Sequence, residues 1–429
     1  MTSADGPHRT LPRASTAIAA FSTVVEWYDF TLYLYFATVL ARVFHGGGGG
    51  SLAATLAGFG LSYLMRPLGA VVFGQLGDRR GRRPAMLISM ALMTAAMLAT
   101  ALLPTHAQIG PAAGALLFLL RCVMAFSVGG EYTGVVAYLL EGARPERRGF
   151  VTSFASAASE VGGLLAVGVS ALTVAMLPAV ELDAWGWRIP FLVGAALAGG
   201  VLLARATMEE SPEFLRQKAV GTVPDRPLRH VVRHHRAGIA RSFAISALGS
   251  ITYYVGITYV PVFLTSAGGI GEQQALMLST LAAVAVIATT PLTGAFSDRA
   301  GRRPVLIALA IAAALLPIGA FAVMAGGSPP LIIAGAMALA CLGGGVSAVG
   351  AVATAEQFPG EGRLTGLALG ATAATAVFGG FTPWLAQILI ERTGSAAAPG
   401  AMIAVVALAV LPVRLGLPDR RREARGASG

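Results

Sequence analysis

Six ionisable side chains lie in stretches where water would be scarce. Glu26, Asp29, Arg66, Arg121, Glu131 and Glu160 each fall inside a long apolar run. A charge there costs about 2.5 to 3.5 kcal/mol on insertion scales and so demands a purpose. Glu26 and Asp29 stand three residues apart, with Phe30 and Tyr33 continuing the stripe, so on a helix the two carboxylates share one face. Two carboxylates in a low-dielectric setting resist ionising together, and the chemistry this offers is reversible protonation. The pair leads the candidates for proton coupling; permanent pairing with Arg66 or Arg121, holding helices together, is the competing reading. Glu131 follows two glycines that permit close helix approach, and it is either a second protonation site or a structural ion-pair partner. Glu160 is the fourth candidate of this kind. Arg66 and Arg121 cannot lose their charge, so each needs a carboxylate partner or an anionic ligand. Tyr253, Tyr254 and Tyr259 offer hydroxyls and π-faces, as interfacial anchors or as contacts to a carboxylate or a quaternary ammonium. Tyr33 and Trp384 join them as candidate ligand contacts.

These residues need a scaffold, and the composition defines it. Of 429 residues 55% are hydrophobic and only 12% charged, and the mean hydropathy is +0.71. A soluble domain carries about twice that charge. The charges fall in short clusters between apolar stretches of about 20 residues or more, each long enough to cross a bilayer core of roughly 30 Å. Transmembrane β-strands alternate polar and apolar, whereas Pro84–Ala107 and Val305–Met324 are apolar all round. The expectation is therefore an all-α polytopic membrane protein. Cutting at charges and at Gly and Pro gives twelve spans: 16–44, 52–76, 84–104, 110–140, 149–178, 188–206, 239–266, 273–296, 304–325, 329–354, 364–390 and 398–416. With the N-terminus inside, 26 of the 31 Lys and Arg lie on the cytoplasmic side. Only Arg42, Arg188 and Arg392 fall on the other side, so both termini are expected to be cytoplasmic.

Other chemistries find little support. Cys122 and Cys341 are too few and too far apart for a metal site or a disulfide framework. The ten excess positive charges are spread over many loops rather than gathered on one basic face, which argues for membrane topology and against nucleic acid. No small-residue cleavage pattern closes the first apolar run, so no removable signal peptide is read. His8, His45, His106, His230, His234 and His235 all fall at ends or loops. Gly46–Gly50 is an external turn without the Lys-Ser/Thr of a phosphate loop, so ATP is not the expected energy source and no cofactor or metal is expected. No nucleophile–base arrangement points to an enzyme.

An internal repeat divides the chain. Gly74-Gln-Leu-Gly-Asp78-Arg-Arg-Gly81-Arg82-Arg83-Pro84 recurs as Gly294-Ala-Phe-Ser-Asp298-Arg-Ala-Gly301-Arg302-Arg303-Pro304. Glu141 stands seven residues before Arg148, and Glu356 seven before Arg363. The predicted organisation is a tail, 1–15; a six-helix bundle, 16–206; a cytoplasmic connection, 207–238; a second pseudo-symmetric six-helix bundle, 239–416; and a tail, 417–429. The connection opens on Glu209-Glu210-Ser211-Pro212-Glu213, the pattern of a capped surface helix.

The repeated Gly-x-x-x-Asp-Arg-x-Gly-Arg-Arg loop resembles the signature of the major facilitator superfamily, whose parallel halves bracket a site near the bilayer midplane. More narrowly, Glu26-Trp-Tyr-Asp29-Phe30, Leu64-Met-Arg66-Pro67-Leu-Gly69, Phe126-Ser-Val-Gly129-Gly130-Glu131-Tyr132-Thr-Gly134, Glu146-Arg-Arg-Gly149-Phe150 and Gly186-Trp187-Arg188-Ile-Pro190-Phe191 look like the metabolite:proton symporter family. So do Thr252-Tyr253-Tyr254 through Tyr259, and Leu364-Thr-Gly366 through Pro383. That family includes permeases for proline/betaine, α-ketoglutarate, citrate and shikimate. The tail Leu417–Gly429 is too short for the C-terminal coiled coil of some osmosensory members.

The resemblance implies a monomeric carrier in a bacterial inner membrane, importing a small organic solute with protons by alternating access, without ATP or nucleic acid, among membrane lipids. A carboxylate is the favoured substrate because of the two intramembrane arginines, and a zwitterion such as betaine or proline is the alternative. Proton-driven export is disfavoured by the lack of proline in Gly149–Leu177. Asp78, Arg79, Arg82, Glu141 and Arg148, with Asp298, Arg299, Arg302, Glu356 and Arg363, are expected to form cytoplasmic gates through helix capping and ion pairs.

Overall fold

A backbone in hydrocarbon must satisfy its own hydrogen bonds, and long apolar runs do so as helices. In a computed structural model that describes residues 11–48 and 51–417, every regular element among the described residues is helical. The first ten residues and the tail from 418, with their predicted cytoplasmic placement, lie outside the described residues, as do Gly49 and Gly50 of the external glycine turn.

The main helices are α1 (Arg13–Tyr35), α2 (Ala54–Arg80), α3 (Arg82–Ala101), α4 (Ala112–Gly142), α5 (Pro145–Met176) and α6 (Arg188–Arg205). They continue with α7 (Arg236–Thr258, bent by 42° into Val260–Ser266), α8 (Glu272–Ala300), α9 (Arg302–Met324), α10 (Pro329–Ala355), α11 (Arg363–Thr393) and α12 (Ala398–Leu415). Pro261 opens the piece after the α7 bend, where a missing N–H costs the helix a hydrogen bond. Among the described residues ten helices are long and apolar enough to cross a membrane, or eleven with bent α7. The α1 helix is not among them. Its 23 residues are long enough, but they include Arg13, Glu26, Asp29 and several Ser, Thr and Tyr. The helix that contributes least to the apolar signal is thus the one that carries the paired carboxylates.

Both copies of the repeated loop turn at glycine. Gly81 between α2 and α3 has φ +112°, and Gly301 between α8 and α9 has φ +97°, a region L-residues rarely enter. The chain reverses there within one residue, which brings the Asp before the turn close to the Arg after it.

The helices gather into two units. The first comprises Met1–Gly142, Ala158–His230 and Gly360–Ala368; the second comprises Ala143–Ala157, Val231–Pro359 and Leu369–Gly429. The core of the first is aromatic and Met-rich, built on Tyr28, Phe36, Phe44, Met93, Trp187 and Phe191. One end of it is clamped by Arg42, which donates Nε and Nη2 to the two carboxylate oxygens of Asp183, both at 2.8 Å. The core of the second is more aliphatic, with Phe263 and Phe321 edge to face at 4.9 Å. Both units expose large apolar side chains such as Leu203, Leu292 and Leu315, as lipid-facing helices must.

Candidate functional site

Five of the six predicted intramembrane charges, Glu26, Asp29, Arg66, Arg121 and Glu131, form ion pairs. Arg121 on α4 donates Nη1 to the Asp29 carboxylate on α1 at 2.6 Å, and both side chains are buried. The Arg121 guanidinium lies 4.5 Å from the ring centre of Tyr33 and 5.7 Å from that of Phe59. Tyr33 and Phe59 stack at 5.3 Å, and the Tyr33 hydroxyl donates to the Thr55 carbonyl at 3.2 Å. One turn along, Arg66 on α2 stands 3.7 Å from Glu26. Its guanidinium covers Tyr63 at 4.4 Å and Phe30 at 5.5 Å. Each cation therefore meets both a carboxylate and a π-face, an arrangement that strengthens as water is removed. Glu26 Oε2 is buried without a hydrogen-bond partner.

Glu131 lies in a separate cluster. It pairs with Arg205 at the end of α6, accepts from the Ser89 hydroxyl at 2.7 Å, and is fully buried. Arg205 also bonds the Ser22 hydroxyl and donates to the Met86 carbonyl at 2.7 Å. Sequence reasoning placed Arg205 among loop charges and so missed it; the available signal was an arginine directly after Leu202-Leu203-Ala204 with no further charge until Glu209. Glu160 is buried on α5 in the same unit.

The repeated loop of the first unit folds around one arginine. Arg82 is fully buried, lies 3.2 Å from Asp78, and forks onto Glu141 at 2.9 and 3.1 Å. It also donates to the Gly77 and Gly360 carbonyls. Arg363 reaches Glu141 at 2.7 Å. Asp78 accepts the backbone N–H of Leu364 at 3.3 Å and of Thr365 at 2.9 Å, and so caps the start of α11. The connection covers this cluster. Ser211 caps the helix Pro212–Val220 and donates its hydroxyl to Glu141, while Phe214 lies under Arg82 with ring centre 5.6 Å away. Glu210 accepts the N–H groups of Arg82 (2.9 Å), Arg83 (3.2 Å) and Ser211 (2.8 Å), and burial pushes its carboxyl above the usual range. Glu210, Ser211 and Phe214 have no role in the sequence reading beyond the surface-helix pattern. Arg79 is exposed.

The second unit carries the other copy. Asp298 accepts the N–H groups of Gly149 and Phe150, both at 2.8 Å, and so caps the start of α5. Arg302 pairs with Asp298 at 2.7 Å and reaches Glu356 at 3.4 Å. Arg148 is half-buried and Arg299 exposed. Near the far end of this unit Tyr259 donates its hydroxyl to Gln387 at 2.6 Å, and Gln387 donates to Glu391 at 2.9 Å. Tyr253 and Tyr254 stand edge to face at 5.6 Å, with Tyr254 the more buried. Trp384 is 64% exposed, on an outer face of α11.

Membrane-length helices, charges buried in pairs on the membrane spans and a repeated capped loop define a multi-pass carrier. The chain belongs to the major facilitator superfamily of transporters. The family description Sugar (and other) transporter matches residues 15–222, and Major Facilitator Superfamily matches 259–429. The chain is 33% identical to the ectoine/proline transporter ProP of Corynebacterium glutamicum, over 86% of this chain and 77% of that one. It is 32% identical to the citrate-proton symporter of Klebsiella pneumoniae, over 90% and 87% of the two chains. Among solved structures, the proton:xylose symporter XylE superposes with a TM-score of 0.75 at 22% identity, covering 92% of this chain and 94% of that one, a likeness of fold. The fold is that of an alternating-access secondary transporter, as the sequence led us to expect.

Proposed function

We propose that the chain is a proton-coupled importer of a small solute bearing a carboxylate, resident in a bacterial cytoplasmic membrane with both termini inside. The observation that carries this reading is the buried Asp29–Arg121 pair at 2.6 Å, with the guanidinium laid over Tyr33. Arg121 is a permanent cation, so it exchanges one anion for another rather than giving up its charge. A proton on Asp29 removes the internal anion and leaves the Arg121 fork for a substrate carboxylate. Proton and solute then bind together, and each favours the other by the same free energy. Arg66, with Glu26 beside it, is the second contact and decides how many carboxylates the site prefers. The citrate-proton symporter and the ectoine/proline transporter among the relatives differ in the rest of the substrate, but citrate, ectoine and proline all carry the carboxylate that Arg121 would hold. A second reading, for a zwitterion, is favoured by the aromatic faces of Tyr33, Phe59, Phe30 and Tyr63, which suit a cationic substrate end as well as they suit arginine. The gate role of the two capped loops belongs to the same proposal: each must release its helix start once per cycle.

Uptake into proteoliposomes tests the function, with labelled citrate, α-ketoglutarate, shikimate and betaine and with pH gradient and membrane potential imposed separately. One pH unit supplies about 1.4 kcal/mol, and 100 mV about 2.3 kcal/mol per net charge moved. Carboxylate uptake driven by the pH gradient supports the first reading, and betaine uptake driven also by an interior-negative potential supports the second. Asp29→Asn is expected to lower proton-driven accumulation by about tenfold or more, the worth of one pH unit, while leaving counterflow exchange in place. Unchanged pH dependence in that variant would remove Asp29 from the coupling.

A further inference from the structure

The connection between α6 and α7 has two parts of opposite character. Its first part is acidic and docked: Glu209, Glu210 and Glu213 lie here, Tyr138 donates its hydroxyl to the Glu209 carbonyl at 2.6 Å, and Phe214 and Gln217 are buried. Beyond Phe214 the character reverses. Between Phe214 and Arg241 the sequence holds Arg216, Lys218, Arg226, Arg229, Arg233, Arg236 and Arg241 against the single acid Asp225. Arg216 is neutralised by Glu213 at 2.6 Å.

Arg226, Arg229, Arg233 and Arg236 recur at intervals of three, four and three residues, the spacing of one helix face. The helix Pro227–His234 carries the middle two, and the N–H of His230 donates to the Arg226 carbonyl, which extends the turn backwards. All four arginines are exposed, whereas Pro227 and Val231 on the other side are buried. None of the four forms an ion pair among the described residues; Arg236 donates Nε to the Val232 carbonyl at 2.9 Å. Arg226, Arg229 and Arg233 follow the helix and Arg236 opens α7 directly after the non-helical His235, and like charges so close along the chain repel one another unless an anion faces them. The helix also has no freedom to leave the membrane surface. Only His235 separates it from α7, so Arg233 stands three residues, about 11 Å of chain at most, from the first residue of a membrane helix.

We propose that this arginine row is a docking surface for the acidic phospholipid headgroups of the leaflet that α7 enters. The helix keeps Pro227 and Val231 on the protein and presents the arginines, with Val232 the one exposed aliphatic side chain among them, so the contact is with headgroup phosphates rather than by insertion into the acyl chains. A basic residue near an anionic leaflet is worth about 1 kcal/mol, or about fivefold in binding, and the row sums four of them. The surface anchors the connection at the interface and makes its position depend on lipid charge.

Native mass spectrometry of the full-length chain, titrated with phosphatidylglycerol and with phosphatidylcholine of matched acyl chains, is the test. The wild type should bind phosphatidylglycerol on the order of several hundredfold more tightly than phosphatidylcholine, a preference that each Arg→Gln change erodes by about fivefold. The quadruple variant Arg226→Gln/Arg229→Gln/Arg233→Gln/Arg236→Gln should lose it, and Arg229→Gln/Arg233→Gln should fall between, which keeps the test open if the quadruple change harms folding. The four-Lys variant should keep it, because the leaflet is read as charge. A second measurement places a nitroxide at Val232→Cys, with Cys122 and Cys341 replaced by Ser, in nanodiscs of either lipid. Added phosphatidylglycerol should lower its accessibility to a water-soluble nickel chelate. Equal binding of the two lipids, an unchanged quadruple-Gln variant, a four-Lys variant without preference, or a label indifferent to lipid charge would each overturn the proposal.

Discussion

The two copies of the repeated loop make the same contacts in different surroundings. In each, an Asp caps the start of a helix through two backbone N–H groups, and an Arg four residues later pairs with that Asp and with a Glu at the end of another helix, Glu141 in the last turn of α4 or Glu356 directly after α10. In the first unit the Arg82, Asp78 and Glu141 side chains are fully withdrawn from solvent. In the second, the Arg302 side chain is 16% exposed and that of Glu356 12%. The connection explains the difference, since Glu210, Ser211 and Phe214 seal the first copy. The repeated sequence therefore encodes the contact, and unrepeated sequence elsewhere sets its strength. Burial makes the first copy costly to break by halves, because an ion pair that loses one member leaves the other charged and dry.

The largest expected effect is on this contrast itself. Arg82→Gln strands Asp78 and Glu141 and is expected to cost about 3 to 5 kcal/mol, whereas Arg302→Gln, at a partly solvated site, should cost about 1 kcal/mol. Thermal unfolding of the two purified variants side by side measures it, and equal losses would show that burial is not what separates the copies. Next in size, Asp78→Asn keeps the shape of the cap but loses its charge. It should lower turnover about tenfold with little change in KM, as expected when a step after binding is impaired, and Asp298→Asn should lower it less. Full-rate uptake by correctly inserted Asp78→Asn would sink the gate assignment. The smallest effect comes from weakening the seal. Ser211→Ala removes a helix cap and one bond to Glu141, for about 1 kcal/mol, and should make the first copy more sensitive to Arg363→Gln. Additivity of the two substitutions in a double-mutant cycle would show that the seal and the pair are independent.

Much of this architecture was legible because membrane burial writes itself into composition. Apolar runs gave the spans, and the recurrence of Gly, Asp-Arg and Gly-Arg-Arg-Pro around Asp78 and Asp298 gave the repeat. Intramembrane charges stood out one by one, with Arg66 and Arg121 as candidate partners for Glu26 and Asp29, yet which takes which did not. Glu26 and Asp29 share a face, but only the packing of α1, α2 and α4 sends Asp29 to Arg121 and Glu26 to Arg66. Arg205 was hidden because an arginine at the end of an apolar run looks the same whether it snorkels outward or turns inward to Glu131. Arg414 was hidden in the same way. It is fully buried, donating to the carbonyls of Leu306 and Ile245, although at the end of the last span it counts among the positive charges expected on the cytoplasmic side. The exposure of Trp384 was equally unreadable, since α11 is apolar over much of its surface.

The Asp caps have a consequence for how such a chain can change over generations. At the helix starts they cap, Asp78 and Asp298 hold main-chain amides rather than side chains, at Leu364 and Thr365 in one case and Gly149 and Phe150 in the other, while the Arg four residues on pairs with each through its side chain. Every residue except proline supplies that amide. Drift at the receiving positions is thus invisible to the cap, and a search for pairs of positions that mutate in concert will find Arg82 or Arg302 as the partner of each aspartate but not the helix start it caps. Proline is the exception: at Thr365 or Phe150 it would delete a donor in one step, so its avoidance there is the trace such a contact leaves in a family of sequences.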